Sequence, residues 1–385
     1  MGDVNIWQFG PRVSIRVSRK FLKMVIANLY NKYKNRDTIC NALKDKISVT
    51  PKSFQNFLKE SHHRKFFVPL EIWIQVCKTL KISLYKLQKN IIAYKTSRGP
   101  NYIYQPILPV KITPIFDMII AHNIADGTVI DPKRGRLPYF GYRQLDNQIR
   151  ELYITKLEAI FGKIYFPHRY YLTTTRPYCP PVISSLFFNE YGSDTKSFLS
   201  RTARIPRQIM KKNQEHLLAV LIAFIIDEGW IDSTMIGIAL KNIPLARDLN
   251  EICCRLGYRT TFTIRGEYGT VSILREGMEK FFEDYKQIIK SYPEMKLGKK
   301  EAKIESSFKI CNRRIYKTKG NKELILSILE NEPLTVNQIA LRVNMTRQGV
   351  RFHIHNLEKA GVISRVIIDN KRKESIYKFE RGIKC

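Results

Sequence analysis

The chain has 385 residues and carries 66 Lys plus Arg against 34 Asp plus Glu, a formal net charge of +32 at pH 7. So large an excess points to a polyanionic partner, with nucleic acid ahead of an anionic membrane surface. A hydrophobic content of 44% is enough for ordinary cores in two or three domains, and no apolar run approaches the roughly 18 residues that span a bilayer.

Residues 1–95 read as an all-helical unit. Leu22, Val25, Ile26 and Leu29 recur at helical spacing, as do Trp73, Val76, Cys77 and Leu80, and Leu84 and Leu87 add a last turn. Residues 37–46, 47–50 and 51–61 have the layout of a helix-turn-helix, with Thr50 as N-cap and Pro51 at the first helical position. This part looks like the helix-turn-helix domains of repressors. Its second helix would offer Lys52, Gln55 and Asn56, residue types that reach phosphates and base edges. A solvated helix face is the plainer alternative. Residues 96–110, which include Gly99, Pro100, Pro106 and Pro109, read as a linker.

Residues 111–305 repeat one order of elements, with halves at 111–205 and 206–305. Thr113 and Pro114 signal a helix start, and that helix runs to Asp126. Strands follow at 128–130 and 137–142 around the turn Asp131-Pro132-Lys133-Arg134-Gly135. A helix with Ile149, Leu152, Tyr153, Leu157 and Ile160 inward stops at Gly162. Strands at 164–168 and 170–175 and a short helix at 185–191 close the half. In the second half a helix over 214–228 precedes strands at 230–233 and 235–240. A helix capped by Asn242 buries Leu245, Leu249, Ile252 and Leu256, a hairpin spans 260–264 and 270–274, and a helix over 276–289 completes the repeat.

A lysine-rich stretch over 291–321 contains a linker at 306–320, and 321–385 read as a second DNA-binding unit. One helix holds Leu324, Ile325, Ile328 and Leu329. A second is capped by Thr335, and a third runs from 346 to 360. A hairpin over 362–368 and 375–379 turns through Asp369-Asn370-Lys371-Arg372. This order is similar to the winged helix of small transcriptional regulators. Arg347, Gln348 and Arg351 would lie on the recognition helix, with His353 and His355 on or beside it, and Lys371 and Arg372 would touch phosphate from the wing. A winged helix used for protein contact is the alternative.

Two stretches stand out: Ile119-Ile120-Ala121-His122-Asn123-Ile124-Ala125-Asp126-Gly127 and Leu221-Ile222-Ala223-Phe224-Ile225-Ile226-Asp227-Glu228-Gly229. Each is an apolar helical run containing a small residue and ending in an acid and a glycine. They lie too far apart for one helix and suit two copies of one subdomain. The pattern resembles the LAGLIDADG homing endonuclease family in its double-motif, single-chain form, over roughly residues 105 to 305.

The resemblance implies an α+β fold with a pseudo-symmetric, duplicated αββαββα core. Two motif helices would pack along Ala121, Ala125 and Ala223, with Gly127 and Gly229 leaving through positive φ. Two antiparallel sheets would form a saddle in the DNA major groove, where Arg134, Arg136, Arg143, His168, Tyr170, Arg259, Thr261, Thr263 and Arg265 would read the target. Asp126 and Glu228 fall on the family's metal-binding position, for Mg²⁺ or Mn²⁺. Hydrolysing a phosphodiester calls for hard cations held by carboxylates, which stabilise the attacking water, the phosphorus and the leaving oxygen. Gln144 and Lys241 match a polar position at the start of the following helix. Lys299 or Lys300, and Arg201 or Arg204, match basic positions that steady charge, and the catalytic set is Asp126, Glu228, Gln144, Lys241 and Lys299.

The implied activity is cleavage of double-stranded DNA at a long asymmetric target by a monomer. Departures from the family pattern are Ile124 and Ile226 at the inner acid, His122 and Asn123 in the first apolar run, and Asp227 at the packed interface. A non-cleaving transcriptional regulator on the same fold and an RNA maturase remain as alternatives. Seven cysteines without a CxxC pair suit a reducing compartment. The first residues do not resemble a secretory leader, and an intracellular protein, in cytoplasm or nucleoid, is expected.

Overall fold

The computed structural model describes residues 2–10, 12–44, 57–58, 67–97, 100–130, 137–167, 177–192, 198, 201–232, 234–311, 320–369 and 374–380. It divides into two compact units, Met1–Ile231 with Met235–Glu301, and Asp232–Thr234 with Ala302–Cys385. Among the described residues no helix is long and apolar enough to cross a membrane.

The first unit opens with β1 (Val13–Val17), α1 (Arg19–Tyr33), α2 (Arg36–Lys44), β2 (Val68–Pro69), α3 (Leu70–Thr79), α4 (Leu84–Lys89), β3 (Ile91–Thr96) and β4 (Tyr102–Tyr104). Ser18 caps α1 by accepting from the Phe21 amide. Phe21, Leu22, Val25 and Leu29 form the buried face of α1, and the Phe21 ring lies 6.0 Å from the Trp73 ring of α3.

The expected all-helical N-terminal part is corrected, because β1, β2 and β3 belong to a five-stranded antiparallel sheet in the order β2-β1-β3-β4-β7. Its last member, β7 (Lys163–Tyr165), comes from the stretch expected to be duplicated. The sheet therefore runs through the stretch expected as a linker. Every neighbour of β1 is distant in sequence, so its five residues carried no local hairpin signal. The second helix of the expected helix-turn-helix, with Lys52, Gln55 and Asn56, lies outside the described residues.

The stretch expected to be duplicated continues with α5 (Pro114–Ala125), β5 (Gly127–Ile130), β6 (Tyr139–Tyr142), α6 (Asn147–Phe161) and β7, then α7 (Pro181–Glu190) and α8 (Arg207–Met210). After these come α9 (Gln214–Asp227), β8 (Gly229–Ile231), β9 (Met235–Leu240), α10 (Ile243–Arg255), β10 (Thr260–Arg265), β11 (Tyr268–Leu274) and α11 (Arg275–Ser291). Helices α5 and α9 are apolar on nearly every side and pack against each other more extensively than any other pair of described helices. Helices buried all round form the centre of a core.

The second half forms one antiparallel sheet in the order β10-β11-β9-β8. The first half does not match it among the described residues: β5 pairs only with β6, and β7 pairs with β4 instead. The expected strand at 170–175, with Tyr170, lies outside the described residues, as do His168, Arg134 and Arg136. The architecture is α+β with antiparallel sheets.

In the second unit, α12 (Glu301–Cys311) occupies part of the stretch expected as a linker. Then follow α13 (Asn321–Asn331), β12 (Leu334–Thr335), α14 (Val336–Arg342), α15 (Arg347–Lys359), β13 (Ile363–Asp369) and β14 (Glu374–Phe379). Thr335 and Gln338 form a capping box at α14, and Thr346 caps α15. Ile325, Leu329, Ile339, Val350, Ile354, Leu357 and Ile363 share one core. The sheet order is β12-β14-β13. Lys371 and Arg372 lie outside the described residues.

Candidate active site at the base of the helix pair

Two sets of polar contacts cross between α5 and α9 and fix their direction. Near the start of both, Asp117 is fully buried and accepts from Lys212 Nζ at 2.7 and 2.8 Å and from the Tyr191 hydroxyl, while His216 Nδ1 lies 2.6 Å away. At the far end, His122 Nδ1 lies 2.8 Å from Asp227 Oδ2, with side-chain exposures of 1% and 0%. First turn meets first turn and last turn meets last turn, so the helices run parallel and their C-terminal acids converge.

His122, Asn123 and Asp227, which break the apolar pattern, are absorbed into one buried polar network. The Tyr142 hydroxyl donates to Asp227 Oδ1 at 2.6 Å, and the Tyr153 hydroxyl donates to Asn123 Oδ1 at 2.9 Å. The two tyrosine rings stack at 4.3 Å. Burial lowers the His122 pKa against the pull of Asp227. Lys156 is also buried, and burial lowers it to about 8. The sequence missed this network, although the polar intrusions His122 and Asn123 on the first helix and Asp227 on the second were its signal.

Asp126 and Glu228 are the C-cap residues of the two helices. The glycines after them are needed for a different reason from the one expected, because neither has positive φ. A Cβ on Gly127 would sit 2.1 Å from the Asn123 carbonyl oxygen, and one on Gly229 would sit 2.8 Å from the Ile225 carbonyl oxygen. The chain leaves each helix too close to the last turn for any side chain.

Burial first, then repulsion from Asp227 and Glu228, raises the Asp126 carboxyl to about 7, with Lys300 and Arg143 opposing. Glu228 is raised by burial and then by Asp227, again opposed by Lys300. Gln144 Nε2 donates to Asp126 Oδ2. Lys300 Nζ donates to the carbonyl oxygens of Ile225, Ile226 and Gly229 at 2.6 to 2.7 Å, and so occupies the negative end of α9 beside both acids.

Of the two neighbouring lysines, then, Lys300 stands at the acids. Lys299 lies 2.5 Å from Asp146, the N-cap of α6, and holds that carboxyl below its usual value. Lys241 lies 3.4 Å from Glu267 and 5.5 Å from the centre of the Tyr268 ring, so Gln144 and Lys241 are not equivalent. Arg204 is bound to Asp248, and Arg143 donates its amide to the Asp126 carbonyl.

The donor set suits a hard divalent cation. It consists of two carboxylates that repel each other, main-chain oxygens nearby, and neither thiolate nor free imidazole. Among the described residues no group of three or more His, Cys, Asp or Glu side chains is arranged to hold a metal.

On the exposed face of the second-half sheet, Thr261, Thr263 and Arg265 alternate along β10, opposite Ser272, Thr270 and Tyr268. Trp230 on β8, missed as a candidate, covers Gly237 on the same face. Arg259 precedes the strand and lies 3.3 Å from Glu276. Arg347, Gln348 and Arg351 are exposed on α15.

Residues 325–366 match the family model of a helix-turn-helix domain. The C-terminal unit contains a helix-turn-helix. No curated protein matches the chain. Among solved structures, the crystal structure of I-DmoI in complex with DNA and Mn aligns with a TM-score of 0.34 and 14% identity, over 46% of this chain and 98% of that one. A structure of mesophilic variants of the homing endonuclease I-DmoI aligns with a TM-score of 0.32 and 14% identity, over 46% and 96%.

Proposed function

We propose that the chain is a site-specific double-strand DNA endonuclease of LAGLIDADG homing type, using Mg²⁺ or Mn²⁺ held by Asp126 and Glu228. One observation carries this reading: the parallel helix pair delivers two half-buried, mutually repelling acids to one place, with Gln144 bonded to one and Lys300 beside both. Two such acids are costly to keep together without a cation between them.

A bound divalent cation would supply Lewis-acid stabilisation of charge building on the phosphate. The chain's own residues orient and balance. Gln144 fixes the Asp126 carboxylate, and Lys300 ties down the end of α9 while adding positive charge. The exposed face with Thr261, Thr263, Arg265 and Lys241 reads a major groove, and Arg347, Gln348 and Arg351 extend the contact along a long duplex. The winged-helix order of the second unit supports a second reading, a non-cleaving DNA-binding regulator.

The test is to select duplexes from a random pool by binding in Ca²⁺ and then replace Ca²⁺ with Mg²⁺. The endonuclease reading expects both strands to be cut at a fixed position in the selected sequence. Selected binding with intact strands in Mg²⁺ and in Mn²⁺ favours the regulator.

A further inference from the structure

The sheet of the N-terminal part has a second face that the proposed nuclease does not use. Directly opposed residues on neighbouring strands share a face. The row Ile15, Tyr94, Ile103 and Ile164 is buried and forms the inner side. The other side carries Arg16 and Lys95, which pair with Ala93 and Ser14, together with Tyr102, Tyr104 and Tyr165.

The rings on that side form a continuous row. Tyr102 and Tyr165 stack at 4.6 Å and 24°, Tyr104 lies 6.2 Å from Tyr102, and Phe67 lies 5.5 Å from Tyr102 at the other end. The Arg16 guanidinium stands 4.5 Å from the Phe67 ring centre, and Lys95 Nζ stands 5.0 Å from it. Tyr104 and Tyr165 remain 39% and 45% exposed. Burial and Arg16 together lower the Lys95 pKa, the mark of two like charges held close.

We propose that this face binds single-stranded DNA, with the exposed Tyr104 and Tyr165 stacking on unpaired bases and Arg16 meeting the phosphates. Rings beside a cation suit a polyanion whose bases offer their faces. A duplex withholds those faces. The choice of DNA over RNA rests on the endonuclease reading, whereas the choice of an unpaired strand rests on the sheet alone.

The experiment measures fluorescence anisotropy of the full chain with an unstructured labelled oligonucleotide of about 20 nucleotides, longer than one such platform requires. The same sequence is offered as duplex and as RNA, at physiological ionic strength to suppress non-specific attraction. Tyr104→Ala and Tyr165→Ala should each weaken single-stranded DNA binding by about tenfold. Tyr165→Phe should restore it, and duplex binding should change by less than about twofold. Equal losses on duplex and single strand, or no loss, would overturn the proposal, and ring-dependent binding of RNA but not DNA would overturn the choice of DNA.

A thermal melt shows whether each variant is folded. Photocrosslinking of an iodouracil oligonucleotide to the unsubstituted chain supplies a readout that needs no variant. Crosslinks at Tyr104 or Tyr165 support the site, and crosslinks confined to the β10 face or to α15 overturn it. A chain that cuts no DNA but binds single strands through these rings would keep this proposal while losing the endonuclease reading.

Discussion

Asp126 titrates near neutral pH, and the sign of that shift makes a prediction about stability. Its carboxyl is raised from the ordinary 3.8 to about 7 in the folded chain, so the folded state holds the proton more tightly than the unfolded state. Its stabilising contribution is therefore fully present below pH ~4 and is lost as pH rises through about 7. The melting temperature of the metal-free protein should carry a downward component across that window, and Asp126→Asn should remove it. Above pH 7, Mg²⁺ should raise the melting temperature of the wild type and leave Asp126→Asn unchanged. Asp227 tests the buried network instead. Asp227→Ala leaves the Tyr142 hydroxyl and the His122 ring without their partner and should cost about 1–3 kcal/mol in denaturant unfolding; a loss under about 0.5 kcal/mol would show that the pair is dispensable.

Helix α9 ends against three main-chain oxygens that Lys300 satisfies, and this separates two adjacent lysines. Lys300→Met should cost about 1–3 kcal/mol of stability, because those oxygens lose their donor. Lys299→Met removes only an exposed pair with Asp146 and should cost under about 1 kcal/mol. Equal effects in chemical unfolding would contradict the assignment. Much of this level was legible in the sequence. The helical runs ending at Asp126 and Glu228 and the caps at Asn242 and Thr335 each follow from local spacing. The N-terminal strands did not, because β1 pairs with residues far along the chain and Val13, Ile15 and Val17 are too few to show a clear alternation. Lys300 was indistinguishable from Lys299 because sequence does not show which of two consecutive side chains faces a helix end.

At the scale of the whole molecule, two units carry two kinds of surface with one sign of charge. The helix-turn-helix was legible as an order of three helices and a hairpin, whereas the unequal sheets of the first unit were hidden, since β7 finds its partner in β4 within the expected linker. If the second unit contributes recognition, Arg351→Ala should weaken binding to a selected duplex by about 1–3 kcal/mol and relax its sequence preference. An unchanged affinity in a filter-binding titration would assign that unit another partner. The central claim is that Asp126 and Glu228 form one metal-dependent nuclease site. It is tested most directly by linearisation of a plasmid carrying the selected sequence, comparing the wild type with Asp126→Asn and Glu228→Gln. The account predicts Mg²⁺-dependent linear product from the wild type and loss of that product in both variants with DNA binding retained. Sequence-specific binding with no strand scission by the wild type in Mg²⁺ or Mn²⁺, or full cleavage by either variant, would contradict it.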